Sequence, residues 1–290
     1  MFMLGGKTVK IALAQINSRL ADVEVNLTKH LKYIDQAIAE HADVIIFPEL
    51  SLCGYSLKDA VYDVAMPIGD QRLEAIRQAS KKIAVIIGMV ELTDSFEAKN
   101  TNAFFSGGKL IARHRKVYLP TYGVFEEKRY FTPGNRFQAF DSTLGRIGML
   151  VCEDIWHPSS SMILALDGAL AIFVNSAGVV RGVQGRQKPE NIQNWEKLIQ
   201  TSAHIYTSYF IFCNKVGVED GLVFWGGSEI VDPLGNTVTK APYYEEILLT
   251  AEIDWLKLKH ARLHTSILSD ERIDLVTEEL SRIVRKAREY

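Results

Sequence analysis

Cysteine is scarce in this 290-residue chain, and the three that occur, Cys53, Cys152 and Cys213, are odd in number and far apart. That argues against a disulfide framework and for a reducing, cytoplasmic compartment. No apolar run approaches the roughly eighteen residues needed to span a bilayer. Around Lys7 and Lys10 the N-terminus leads into a short strand-like run, without the apolar stretch and small-residue cleavage site of a signal peptide. Charge of one sign is not in excess: 33 Lys and Arg face 35 Asp and Glu, a net charge of -2. No basic surplus exists to draw nucleic acid or an anionic membrane. Metal ligands are also short. Cys152, Glu153, Asp154 and His157 lie close in sequence but lack the two ligand pairs of a tetrahedral zinc site, so neither metal nor cofactor is expected. There is no linker, low-complexity segment or internal repeat.

What is present is a large apolar fraction, 47%. The length is close to that at which one core stops growing, so a single domain over residues 1–290 is expected. Apolar runs at Val9–Gln15, Asp43–Phe47, Ile83–Val90, Thr101–Ser106, Leu110–Arg115, Ile147–Val151, Leu170–Val174, Tyr209–Cys213, Ser228–Val231 and Thr237–Thr239 read as strands. Gly107-Gly108 and Asp232–Asn236 read as hairpin turns. Helical stripes fall between them: Leu27, Leu31, Ile34, Ile38; Leu73, Ile76, Ala79; Trp195, Leu198, Ile199, Ala203; and Ile273, Val276, Leu280, Ile283. Met162–Leu166 is apolar nearly all round, as in a buried helix. Strands apolar on every residue need cover on both faces, which gives α/β layers.

Three reactive side chains sit at the ends of strand runs. Glu49 closes Val44-Ile45-Ile46-Phe47-Pro48, among apolar neighbours that suit a group taking and giving protons near neutrality. Lys116 follows Arg113-His114-Arg115, where Val117-Tyr118-Leu119-Pro120 turns the chain inward. Cys152 ends Gly148-Met149-Leu150-Val151 and precedes Glu153-Asp154. A thiol nucleophile, a carboxylate that moves protons and an ammonium that holds negative charge together perform acyl transfer. The ammonium is expected to favour thiolate over thiol. His114 and His157 offer a Cys-His dyad, but nothing supports a papain-like frame around them. Cys53 and Cys213 read as structural thiols.

Glu49, Lys116 and Cys152, in that order and context, resemble the Glu-Lys-Cys triad of the nitrilase (carbon-nitrogen hydrolase) superfamily. The likeness extends from Lys10–Asn17, through Gly123–Gly134, to Gly226–Gly235. It implies a four-layer α-β-β-α sandwich. It implies that Lys116 and the backbone N–H of Glu153 hold an oxyanion, and that a second glutamate, Glu127 rather than its neighbour Glu126, lies by the lysine. Dimers through Ser159–Asp167 and Glu190–Tyr206 are also implied, with Trp195, Ile199 and Tyr206 near the two-fold. Cys152-Glu153-Asp154-Ile155-Trp156 and Lys116–Phe125 look most like the glutaminase domain of glutamine-dependent NAD synthetases, in which Tyr122 and Glu153 match glutamine-pocket positions. Arg181 or Arg186 could clamp a carboxylate. The Ser-Gly-Gly-containing motif of the synthetase half does not occur in these 290 residues, and Asn175–Gly182 departs from the corresponding glutaminase stretch. The expectation is a stand-alone amidase acting on a small, amino-acid-like amide. An N-carbamoyl amide hydrolase, a nitrilase, and a glutaminase-like subunit delivering ammonia to a separate synthetase stand as alternatives.

Overall fold

A computed structural model describes residues 8–181 and 188–287. The chain runs β1 (Thr8–Gln15), α1 (Val23–Ala39), β2 (Val44–Ile46), α2 (Val61–Val64), α3 (Glu74–Ala79), β3 (Ala84–Leu92), β4 (Ala98–Ser106), β5 (Lys109–Arg115), α4 (Glu127–Tyr130), β6 (Phe140–Ser142) and β7 (Gly145–Val151). It continues through α5 (Pro158–Leu166), β8 (Ala171–Ser176), α6 (Glu190–Ile205), β9 (Tyr209–Asn214), β10 (Val216–Glu219), β11 (Leu222–Trp225), β12 (Glu229–Val231), β13 (Thr237–Lys240), β14 (Ile247–Asp254), α7 (Trp255–His264) and α8 (Ile273–Ala287).

Two six-stranded sheets form, ordered β14-β1-β2-β3-β4-β5 and β13-β12-β9-β8-β7-β6. Alternation along each strand decides what lies between and outside them. Ile11 and Leu13 of β1, Val44 and Ile46 of β2, and Ile86 of β3 meet Ile147 and Met149 of β7, Phe173 of β8 and Ile211 of β9 in one core between the sheets. The alternate residues face outward. Ala12, Ile45, Val85 and Ile87 pack under α1 and α3; Leu150, Ile172, Val174, Phe210 and Phe212 pack under α5 and α6. The result is the expected four-layer α-β-β-α sandwich.

The central strands β1-β2-β3 and β7-β8-β9 run parallel. Their carboxyl ends therefore gather at one edge, where α/β sheets place their chemistry. Buried amides tie the two sheets there. Asn102 Nδ2, from β4, donates to Leu150 O at 3.1 Å and to Asn175 Oδ1 at 2.7 Å, and Asn175 Nδ2 donates to Phe47 O at 2.6 Å.

Several expectations need correction. Trp195 and Ile199 do not stand at a surface: both are buried against the second sheet, with Trp195 tilted against Phe212 and edge-on to Trp156. Tyr206 donates its hydroxyl to Pro158 O at 2.9 Å within the chain. Helix α5 is not buried all round; Leu164 and Ala165 face the sheet and Ile163 is exposed. The hairpin β10-β11 and the edge strand β14, paired antiparallel with β1, escape the sequence reading. In β14 the cause is partial burial of nearly every residue, which blurs any alternation.

Gly88 of β3 shows how tightly the Glu49 turn is packed. A Cβ at this position would lie 2.4 Å from Leu50 N and 2.6 Å from Pro48 O, with backbone on both counts and no flexible side chain to yield. Gly88→Ala should destabilise the protein by about 1–3 kcal/mol through overpacking and should displace Glu49. Thermal denaturation checks the first; an unchanged melting temperature would show the turn to be pliable.

Candidate active site

Lys116, one residue beyond β5, is buried and reaches two carboxylates at once. Its Nζ donates to Glu49 Oε1 at 2.7 Å and to Glu127 Oε1 at 2.6 Å. Glu49 leaves β2 through Phe47-Pro48 and is wholly buried. It also accepts from Asn100 Nδ2 at 2.7 Å and from the backbone N–H of Ala177, at the end of β8, at 2.9 Å. Glu127 opens the short helix α4, which turns it inward while Glu126 stays at the surface. Its Oε1 accepts a further bond from Tyr55 Oη at 2.6 Å, and its buried Oε2 has no partner among the described residues.

Cys152 sits where β7 passes into a tight helical turn, Cys152–Trp156. Its φ of 45° is left-handed, a conformation that stores strain in any residue with a Cβ. The turn directs the thiol away from the strand into the site, where Ser176 Oγ donates to Sγ at 3.4 Å.

Asp154 holds this arrangement together. Its Oδ2 accepts from Val151 N at 3.0 Å and from His114 Nε2 at 2.8 Å; its Oδ1 accepts from Val117 N and Tyr118 N, both at 3.0 Å. One buried carboxylate thus clips the nucleophile turn to the segment that follows Lys116. His114 serves that clip, and His157 stacks on Tyr118. Cys152, Glu153, Asp154 and His157 do not converge, and no group of three or more His, Cys, Asp or Glu side chains among the described residues could hold a metal ion.

Charge is unusual here. Burial works against the Lys116 ammonium, but Glu127 and Glu49 together hold its pKa well above the ordinary lysine value. Burial, opposed by Lys116 and aided by Glu49, raises Glu127 to about 7. The Cys152 thiol is pushed well up by burial and then by the Glu49 charge, against the pull of Lys116. This corrects the expected thiolate: burial first, and the Glu49 charge after it, outweigh the pull of Lys116 and favour the protonated thiol. Cys53 is also buried, its pKa pushed up to about 12 by desolvation, and Cys213 lies within β9.

Glu153, which follows Cys152 in the chain, is brought together with Tyr122 and Arg181. Tyr122 Oη donates to Glu153 Oε2 at 2.9 Å. The Arg181 guanidinium lies 5.2 Å from the ring centres of both Tyr122 and Phe125. Burial raises the Glu153 pKa and pushes that of Tyr122 up to about 12. Arg186 lies outside the described residues. Residues that the sequence reading missed are Tyr55, Asn100, Ser176 and the clip Asp154. Only Asp154 carried a signal, its position two residues past the cysteine.

The carbon-nitrogen hydrolase family model matches residues 10–262. The chain belongs to the carbon-nitrogen hydrolase family. It is 31% identical over 250 residues to a glutamine-dependent NAD(+) synthetase of Thermotoga maritima, covering 86% of this chain and 42% of that one. It is 30% identical over 275 residues to an (R)-stereoselective amidase of a Pseudomonas species, covering 93% and 94%. A carbon-nitrogen hydrolase structure from Helicobacter pylori superposes with a TM-score of 0.85 at 26% identity, over 94% of this chain and 99% of that one. The chain thus spans about half the length of the synthetases it matches and nearly all of the amidase. Among the described residues of this carbon-nitrogen hydrolase, no helix is long and apolar enough to cross a membrane.

The hydroxyl of Tyr55 is a donor to Glu127 that favours the ionised carboxylate. Tyr55→Phe keeps the ring and removes the donor, so the Glu127 pKa should rise further above about 7. A carbon-detected NMR titration of the Glu127 carboxyl reads this directly, and a fall or no change would mean that the hydrogen bond does not bear on its ionisation.

Proposed function

We propose that this chain is a metal-independent amidase that hydrolyses a small carboxamide to carboxylate and ammonia through a thioester on Cys152. The observation that carries the reading is the Lys116 ammonium. Two of its three N–H groups are taken by Glu49 and Glu127, which leaves the third for a substrate oxygen.

In this mechanism Glu49 takes the thiol proton as Sγ attacks the amide carbon. The carbonyl electron pair moves onto oxygen, where Lys116 and the backbone N–H of Glu153 stabilise it. As the oxyanion collapses the C–N bond breaks, and Glu49 gives the proton to the departing nitrogen, which leaves as ammonia. A water molecule then attacks the thioester, yielding its proton to Glu49. The C–S bond breaks, the carboxylate departs and the thiol is restored with that proton. Glu127 keeps Lys116 charged and aimed. A free thiol with this role suits a reducing, cytoplasmic setting.

Glu153, Tyr122 and Arg181 favour an amino-acid-like amide. Glu153 supplies a half-buried carboxylate for a substrate ammonium, and Arg181 a guanidinium for a substrate carboxylate. Similarity to the synthetases supports a second reading, in which the chain releases ammonia to a separate partner enzyme. Turnover by the purified chain alone separates the two: a free amidase works unaided, whereas a delivery subunit is nearly silent until its partner binds.

Cys152→Ala should abolish turnover and leave the melting temperature nearly unchanged, while Cys53→Ala and Cys213→Ala stay active. Glu49→Gln should cost about a hundred- to ten-thousand-fold in rate. Mass spectrometry of a quenched reaction should find the substrate acyl group on the peptide that contains Cys152. Wild-type turnover by Cys152→Ala would sink the mechanism.

Glu153→Gln should selectively lose activity on glutamine-like amides relative to neutral aliphatic ones, because the charge-assisted bond to the ammonium is lost. Equal losses on both classes would assign Glu153 a purely structural role beside the oxyanion.

A further inference from the structure

Helix α8 leaves an apolar seam uncovered. None of its residues is buried, and none joins the cores between or outside the sheets. Yet Ile273, Val276, Leu280, Ile283 and Ala287 recur at alternating spacings of three and four, the pattern of a coiled-coil seam. Ile273, Leu280 and Ile283 are 54%, 57% and 52% exposed. Neither the amidase chemistry nor the sandwich uses this stripe.

The charges on α8 say what would cover it. Asp274, Glu278 and Glu279 lie in its first half; Arg282, Arg285 and Lys286 lie in its second. A parallel copy would set acid beside acid and base beside base. An antiparallel copy sets each acidic half against a basic one. One register satisfies the seam and the charges together. With Leu280 layered on Ile283 of the second copy, Val276 falls on Ala287 and Glu279 falls opposite Lys286, at the flanking positions that fix partner and orientation.

We propose that α8 pairs with α8 of a second copy of this chain as a short antiparallel coiled coil. The contact is two-fold and isologous: each Glu279 meets a Lys286, and each Lys286 a Glu279. It lies outside both the catalytic residues and the helices α5 and α6, and does not depend on what the site hydrolyses.

Light scattering over a concentration series tests the pairing. Wild type should show a dimer. Leu280→Glu should shift it to monomer, as should E279K and K286E alone, each weakening association more than about tenfold by setting like charges face to face. The double variant E279K/K286E should dimerise again. An equimolar mixture of E279K with K286E should also associate, because one copy then carries both bases and the other both acids. Circular dichroism establishes that each variant keeps its helix content, which these exposed positions should allow. A wild-type monomer at all concentrations would overturn the proposal. So would a dimer that survives Leu280→Glu, which places the contact elsewhere, or single charge variants that fail to re-associate on mixing.

Discussion

The site depends on one buried ammonium. Lys116 is sealed from solvent, and a lone charge there would cost several kcal/mol to desolvate. Glu49 and Glu127 make it tolerable, and each carboxylate is in turn held by a donor from another part of the fold: Asn100 and the Ala177 N–H for Glu49, Tyr55 for Glu127. Strands from both sheets and the loop before α2 are thus committed to a single Nζ. Removing either carboxylate would leave the others incompletely paired, and breaking a buried pair in this way costs on the order of 3–5 kcal/mol. The Lys116-Glu49-Glu127 cluster is therefore a structural element of the sandwich, whatever chemistry it performs.

Asp154 solves a second problem, that of register between two sheets. Lys116 follows the first sheet's edge strand and Cys152 the strand next to the second sheet's edge, and nothing in the apolar core between them fixes their separation to hydrogen-bonding precision. Four hydrogen bonds to one buried carboxylate do. Asn102 and Asn175 perform the same service for the end of β2. Strain at Cys152, with its φ of 45°, is sustained because Asp154, two residues on, is anchored from four sides.

What the sequence revealed and what it concealed follow from this division. Continuous apolar runs marked the central parallel strands, and reactive residues just past β2, β5 and β7 marked the site, because a strand end is a local feature. The pairing of Glu127 rather than Glu126 with Lys116 is set by the direction in which α4 starts, yet the family resemblance already implied it. Tyr55, Asn100 and Ser176 were not legible. Each is an ordinary polar residue in its own segment and acquires meaning only through a partner dozens of residues away. The stripe on α6 was rightly read as helical, and its placement near a two-fold came from the resemblance alone: periodicity says that a face is apolar, and only the tertiary structure says what that face meets. Trp195 and Ile199 meet the sheet, whereas the equally regular stripe on α8 joins none of the cores of the described chain.

The charge balance also decides when the thiol can give up its proton. An ammonium beside a thiol, taken alone, would yield a resting ion pair. Here the ammonium is shared with two carboxylates, and a thiolate would add a further negative charge to a sealed space that already carries an excess of it. Burial and Glu49 therefore keep the proton on sulfur. In the proposed mechanism a substrate carbonyl changes the balance, because the negative charge formed on attack resides on the oxygen facing Lys116, and the proton leaves sulfur for Glu49 as that charge forms. Deprotonation is then coupled to attack, and the nucleophile is not exposed as a thiolate between turnovers. The same crowding of charge accounts for the second glutamate: burial, aided by Glu49 and opposed by Lys116, raises Glu127 to about 7.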